Sequence, residues 1–448
     1  MTISRFAGVF CCARRLPLAL ALLGTALVAE AQEPTSPTAI APAPPAGRVL
    51  SLDQALKAAL ENQPRLRQAS ASSRAADARV DQAFAPLLPQ VTGRASYQHA
   101  IAQGQTGFTS TTSGDSYSVG VTGSQVVYDW GQSRGRYRAS QANADVQRQN
   151  AESTRLEVTL SVKNSYFQAR AQKALVDVAR DTLENQARHL AQIEGFVEVG
   201  TRPRIDVVQA RADRASAELS LVNAENGYDI AKAQLVQAMG AEVPADFDVS
   251  NEALPPVAGE DGASAPLLSQ ALANRPDVRA AVGTVRAQEL SAKAAEGAYG
   301  PTLSVSTTLS EGRQQLDSPR WSWTASADLN WPIFQGGVTK AQVAEARANV
   351  DVASAQVATL RQQVLFEIEQ ARLSVRGAKK ALATSDQLVE NTRERLALAE
   401  GRYQTGVGSI IELADAQLAL TAALGQRVQA EYSLSTARAA LSNALGRP

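Results

Sequence analysis

Few resources for catalysis are present in this sequence. Its 448 residues hold two cysteines, two histidines and two methionines, and aromatic residues make up only 5%. Both cysteines, Cys11 and Cys12, lie in an N-terminal apolar segment. That segment reads as an export signal over residues 1–31. Arg14 and Arg15 precede the run LPLALALLGTALV, and Ala29, Glu30 and Ala31 form a small-x-small cleavage site. The exported chain then has no disulfide, no thiol chemistry and no cysteine-bound metal. Met239 is its one methionine, which excludes a thioether path for soft copper or silver ions. His99 and His189 stand far apart and read as ordinary surface or loop residues, so neither a two-histidine zinc pattern nor a Ser-His-Asp triad emerges. No G-x-x-x-x-G-K-[ST] occurs, and neither a cofactor nor an enzymatic activity is expected.

Charge is balanced at 44 basic and 44 acidic residues. Cleavage removes Arg5, Arg14, Arg15 and Glu30 and leaves 41 basic and 43 acidic. A nucleic-acid binder would be basic, so that class is excluded. Beyond the signal no apolar run is long enough for a spanning helix. Residues 32–48 contain five prolines and read as an extended leader.

What the sequence does have is a duplication. Asn62 and Pro64 in ENQPRLRQA match Asn274 and Pro276 in ANRPDVRAA, and Pro89 matches Pro301, at an offset of 212. VVYDWGQS then matches PIFQGGVT, with Tyr128 on Phe334 and Gly131 on Gly337, at an offset of 206 that holds to the end. VGTRPRIDVVQARA falls on TGVGSIIELADAQLA, so Gly200 aligns with Gly406, Asp206 with Glu412 and Ala210 with Ala416. Two units of about 200 residues exceed solenoid repeats of about 20–50 residues. The division is repeat 1 at 49–240, a linker or equatorial segment at 241–265, and repeat 2 at 266–448. Each repeat orders a helix, a β-hairpin (about 90–128 and about 301–334), a long helix and a returning helix.

In WSWTASADLNWPIF, Trp321, Trp323, Ala325, Ala327, Leu329, Trp331 and Ile333 alternate with Ser322, Thr324, Ser326, Asp328 and Asn330. Such length, with aromatics near both ends, fits a strand between lipid and water. Four strands cannot close a barrel and an open edge is not viable in lipid, so two, three or four chains must share one barrel. The loop around Ala102–Ser113, rich in Gly, Ser and Thr, is expected to face outside the cell, with Gly107 accessible there.

No proline interrupts Arg136 to Gly195 or Val338 to Glu400. About 60 helical residues span roughly 90 Å. Val343, Val350, Val357, Val364, Ala371 and Ala378 recur every seventh residue, the spacing of helices packed as a coiled coil. A second line through Ala346, Ala353 and Leu360 stops at Glu367 and Ser374. The turns at Gly200 and at Gly406 to Gly408 end the long helices at the pole farthest from the strands. Taken alone, the helices also fit a soluble coiled-coil rod.

The N-x-P-x-x-R phrases, FQGG and the two tip phrases, in their order and duplication over about residues 50–446, resemble the TolC-type outer membrane factors of Gram-negative bacteria. The resemblance implies a mainly α fold with membrane β: a homotrimer whose twelve-stranded outer-membrane β-barrel, four strands per chain, continues into a long periplasmic α-helical barrel. It implies an exit duct of a tripartite efflux pump or type I secretion system, passing small molecules or proteins. Its partners are a periplasmic adaptor protein, an inner-membrane RND, ABC or MFS transporter, and outer membrane lipid. The family's axial carboxylates fall on Glu412 and Asp415, its first-repeat aspartate on Asp206 and its latch tyrosine on Tyr403. An arginine frequent in the second tip is Gly408 here, so Arg202 or Arg204 is the candidate to replace it. Glu412 and Asp415 are three apart, hence on one helix face, and repeated about an axis they make a cation-preferring mouth. The competing function is a non-conducting structural or adhesive rod anchored in the outer membrane, which needs no axial acidic ring.

Overall fold

The computed structural model describes residues 48–103, 111–241, 247–313 and 320–447. The signal segment, the leader before Arg48 and residues 104–110 of the first hairpin, Gly107 included, lie outside the described residues. The elements come in matched pairs. The chain runs through β1 (Arg48–Leu50), α1 (Leu52–Asn62), α2 (Pro64–Phe84), β2 (Gln90–Gln103), β3 (Thr111–Tyr128), α3 (Gln132–Glu198) and α4 (Arg204–Met239). It continues through β4 (Phe247–Val249), α5 (Ser264–Asn274), α6 (Pro276–Glu296), β5 (Thr302–Arg313), β6 (Arg320–Asn330), α7 (Val338–Gln404) and α8 (Ile410–Ala444). α1 and α5 have 11 residues each, α2 and α6 have 21, α3 and α7 have 67, and α4 and α8 have 36 and 35. A 67-residue helix is about 100 Å long. Among the described residues no helix is long and apolar enough to cross a membrane.

The four long strands form one antiparallel sheet in the order β2-β3-β5-β6. Its register aligns the alternation of every strand. Val91, Val121, Leu309 and Trp323 share one face, as Val121 opposes Gly93, Leu309 opposes Val121 and Trp323 opposes Leu309. The other face carries Ser96 bonded to Ser118 at 2.7 Å, Ser310 bonded to Ser322 at 2.8 Å and Ser306 bonded to Ser326 at 2.9 Å. A one-residue slip would mix the two faces. β6 stops at Asn330 rather than running on through the apolar alternation to Phe334. Pro332 has no N–H for the ladder, and Trp331 instead donates its indole N–H to the Tyr299 carbonyl at 3.2 Å.

Each long helix packs along two shorter ones of its own repeat laid end to end, α3 along α2 and α4 and α7 along α6 and α8, and α3 also packs against α6 and α8 of the second repeat. The junctions explain the N-x-P-x-x-R phrases. Pro64 and Pro276 open α2 and α6, where a missing N–H is harmless. Arg67 donates to the Asn62 carbonyl at 2.9 Å and Arg279 to the Asn274 carbonyl at 2.7 Å. The returning helices end against these breaks. Gln63 donates to the Ala238 carbonyl at 2.7 Å, and Arg275 donates to that of Ala444 at 3.4 Å. Gly240 and Gly446 sit there at positive φ, and a Cβ on Gly240 would lie 2.7 Å from Gln63 Cα.

The interrupted heptad line of α7 has its cause at the second junction. Val343, Val357, Val364, Ala371 and Ala378 are buried. The companion line does not end at Glu367; it moves by one residue, from Ala353 and Leu360 to the buried Ile368 and Val375. α7 exchanges α6 for α8 at this level, and the new partner meets a rotated face. Glu367 marks the exchange by bonding Arg275 at 2.6 Å.

The linker ties the two helix pairs together at mid-height. β4 pairs with β1, and Asp248 accepts from Lys173 of α3 and Tyr228 of α4, both at 2.6 Å. Glu260 is bonded by Lys379 of α7 at 2.7 Å and Arg438 of α8 at 3.1 Å. Burial pushes the Glu260 carboxyl up, but those two cations hold it below the usual carboxylate range.

Candidate functional site: the helical tip

At the pole away from the sheet all four long helices share one small core. Leu190 and Ile193 of α3, Ala210 of α4, Ala399 and Tyr403 of α7, and Leu413 and Ala416 of α8 are buried together. The two turns that close this end each need a glycine. Gly200 has φ +76° and Gly406 has φ +80°, a region that costs residues with a Cβ.

The structure brings Asp206, Tyr403 and Arg202 into contact. Asp206 lies in the first turn of α4, where the helix N-terminus favours a negative charge. It is 6% exposed, and Tyr403 Oη donates to its Oδ2 at 3.3 Å. Burial, followed by the Asp206 charge, pushes the Tyr403 phenol up, which keeps it protonated as a donor. Arg202 lies over the Tyr403 ring at 4.3 Å and donates to the Tyr403 carbonyl at 2.7 Å. Neither Arg202 nor Arg204 forms an ion pair with Asp206 within this chain. Asp206 takes a phenol instead of a guanidinium, and Arg204 is exposed at the helix start, outside the cluster. Gly408 is required by close approach: its N–H donates to the Arg402 carbonyl at 2.8 Å, and a Cβ there would lie 2.9 Å from Tyr403 N. An arginine at 408 does not fit this turn, and Arg202 holds Tyr403 from the opposite hairpin.

Glu412 and Asp415 have different surroundings. Ser409 caps α8 by accepting from the Glu412 N–H at 3.2 Å. The Glu412 carboxylate is half-buried and pairs with Arg402 at 3.2 Å. Asp415 is exposed.

Sequence reading missed a ladder of polar contacts joining the α3/α4 pair to the α7/α8 pair. Thr182 bonds Thr421 at 3.3 Å, Gln186 donates to Gln417 at 2.9 Å, and His189 Nε2 lies 3.4 Å from Glu400. His189 is therefore not an ordinary surface residue; its side chain is 17% exposed. Such contacts join residues more than 200 positions apart, which no local pattern reveals. The available signal was polarity on an apolar helix face.

His189 predicts a pH response. Burial lowers its proton affinity, and this outweighs the opposing pull of Glu400; Arg188 on the same helix lowers it further. The α8 groups at this level, Leu413 and Gln417, carry no charge. A base whose folded pKa is depressed contributes full stability above its unfolded value of 6.5 and loses it as pH falls from that value through the lower folded one. Acidification below 6.5 is expected to loosen the tip. Hydrogen exchange at α3 residues 186–198 should therefore accelerate between neutral pH and pH ~5.5 after correction for intrinsic rates, and His189→Gln should remove the change. An equal acceleration in the variant would exclude His189 as its source.

Similarity to known proteins accords with this architecture. The model of the outer membrane efflux protein family matches residues 55–241 and 267–447. The chain belongs to that family. It is 27% identical over 407 residues to the pyoverdine export outer membrane protein OpmQ of Pseudomonas putida, covering 88% of this chain and 85% of that one. It is also 27% identical over 412 residues to the outer membrane efflux protein BepC of Brucella suis, covering 89% and 85%. In fold it is similar to the Campylobacter jejuni CmeC outer membrane channel, with a TM-score of 0.78, 21% identity, and coverage of 88% of this chain and 85% of that one. As a member of the outer membrane efflux family the protein resides in the outer membrane and serves transport. The tip lies at the opposite end of the long helices from the sheet.

Proposed function

We propose that this outer membrane efflux protein is the exit duct of a tripartite pump, formed by three copies of the chain. The observation that carries the reading is the two-faced sheet. One face is apolar and the other is lined by Ser and Thr, while β2 and β6 remain edge strands of the sheet. An edge without a partner is not tolerated in lipid. Copies side by side pair those edges and enclose the polar face as a water-filled lumen. Three copies give twelve strands, within the range of closed membrane barrels.

The cargo class is small molecules. A relative with similar coverage is named for pyoverdine export and another for efflux. The tip is the periplasmic mouth, where Glu412 and Asp415 face the axis and Asp206, Tyr403 and Arg202 latch the two hairpins shut. A periplasmic adaptor and an inner-membrane transporter supply cargo and energy there. The test is mass photometry of the purified protein in detergent combined with planar-bilayer recording. Three chains per particle and discrete conductance steps are expected. A monomer or dimer as the sole species would end the twelve-strand reading, and trimers without conductance would favour a structural rod.

A further inference from the structure

The junction between sheet and helices contains a cleft that the duct reading does not use. It has a volume of about 850 Å³ and lies among the end of α2, the end of β3 and the start of α3. Phe84, Tyr128, Trp130 and Tyr137 supply its aromatic lining, and Arg134, Arg138 and Asp129 its charged groups, a net positive set. The aromatic walls are ordered by mutual packing. Phe84 and Tyr137 have ring centroids 5.3 Å apart, and Tyr128 and Trp130 5.6 Å apart. Trp130 adopts φ +54°, the one positive φ outside glycine among the described residues. Gly300 admits this conformation, because a Cβ there would lie 2.3 Å from Trp130. A strained aromatic held in this way is a position fixed by its surroundings.

Three observations point to a ligand. Arg134 and Arg138 are four apart, hence on one face of α3, and neither forms an ion pair among the described residues; the carboxylate in the same cleft, Asp129, accepts from the Ser133 N–H at 2.7 Å. The Gln125 side chain is locked by its own donors, since Nε2 bonds the Leu87 carbonyl at 3.1 Å and the Val126 carbonyl at 3.0 Å. Its Oε1 is buried without a partner, and such an acceptor is costly unless something donates to it. Finally, the cleft is on the lipid side at the helical end of the sheet. Gln125 opposes Val305 and Tyr128 opposes Leu303, both on the apolar face, and a bulge between Val126 and Tyr128 opens the ladder there.

We propose that this cleft binds the headgroup of a phospholipid from the periplasmic leaflet of the outer membrane. The two guanidinium forks match phosphate oxygens. Gln125 Oε1 accepts from an ammonium or hydroxyl of the headgroup. The four aromatic rings cover the glycerol region, as such rings do at membrane interfaces. One lipid per chain would anchor the start of the long helix to the bilayer and fix the depth of the duct. The inference rests on the outer-membrane placement of the sheet.

The test uses the full assembly, delipidated in detergent and titrated with dioleoyl phosphatidylethanolamine or phosphatidylglycerol under native mass spectrometry. One retained lipid per chain is expected. Arg134→Glu with Arg138→Glu should weaken retention by at least about tenfold, given the loss of two charge-assisted hydrogen bonds. Arg136→Glu, on the same turn but lining a different cleft, should leave retention unchanged. Excess inorganic phosphate should not displace the lipid if the acyl and glycerol parts contribute. Equal retention by the double variant, or no retained lipid in the wild type, overturns the proposal. Displacement by phosphate alone reassigns the cleft to free anions and overturns the lipid. Assemblies that insert into vesicles yet bind nothing here would refute the cleft and leave the outer-membrane placement intact.

Discussion

Replacing Glu412 and Asp415 together by Ala should abolish the cation preference of the conducting assembly and its block by multivalent cations. A carboxylate attracts a monovalent cation about 10 Å away in water by ~0.4 kcal/mol. Three copies of Asp415 about an axis then contribute ~1.2 kcal/mol, or roughly eightfold in cation preference, and twice that energy for a divalent ion. Glu412 should contribute less, because Arg402 lies 3.2 Å from it and offsets its charge. Asp415→Ala alone should therefore produce most of the effect, an asymmetry that the three-residue spacing does not suggest. Assembly should be unaffected: Asp415 is exposed, and the partly exposed Glu412–Arg402 pair is worth under about 1 kcal/mol. Reversal potentials in a salt gradient, with and without a multivalent cation, are the measurement. Wild-type selectivity and block in the double variant would remove these carboxylates from the pore.

Tyr403→Phe should raise basal conductance sharply. The phenol O–H is the donor that the structure gives the buried Asp206 carboxylate. Its removal leaves a buried acceptor unsatisfied, at a cost of about 2 kcal/mol to the packed tip, which shifts a closed–open balance by roughly thirtyfold. An open tip restores water to Asp206, so the cost falls on the closed state. Asp206→Ala removes both the bond and the buried charge and should open the tip less. Arg202→Ala removes the ring contact and the bond to the Tyr403 carbonyl, and should open it without altering selectivity. Open probability from single-channel recordings separates these cases. An unchanged open probability in Tyr403→Phe would show that the Asp206–Tyr403 bond does not hold the closed state.

Much of the fold was legible because its signals are local. Strand alternation at Trp321 to Asn330, the proline breaks at Pro64 and Pro276, and the heptad of valines in α7 each arise from period and steric exclusion within a short window. The error in the second heptad line has the same origin. Periodicity detects that a face is buried but not that the covering helix changes at Glu367.

The tip divides along the same boundary. Gly200 and Gly406 were visible as turns because positive φ restricts residue choice at a single position. The duplication and the tip phrases drew Asp206, Tyr403, Arg202, Glu412 and Asp415 out of the sequence by resemblance. Their interactions came only with the fold. Asp206 meets Tyr403 across 197 positions, Arg202 reaches the opposite hairpin, and Arg402 shields Glu412 while leaving Asp415 exposed. His189, an isolated ring in the sequence, becomes a rung against Glu400. The sequence by itself determined the elements and their paired order along the chain, because those depend on composition and on neighbours a few residues away. Tertiary structure alone decided which polar groups are paired, buried or left bare, because that depends on what two helices some hundreds of residues apart place against each other.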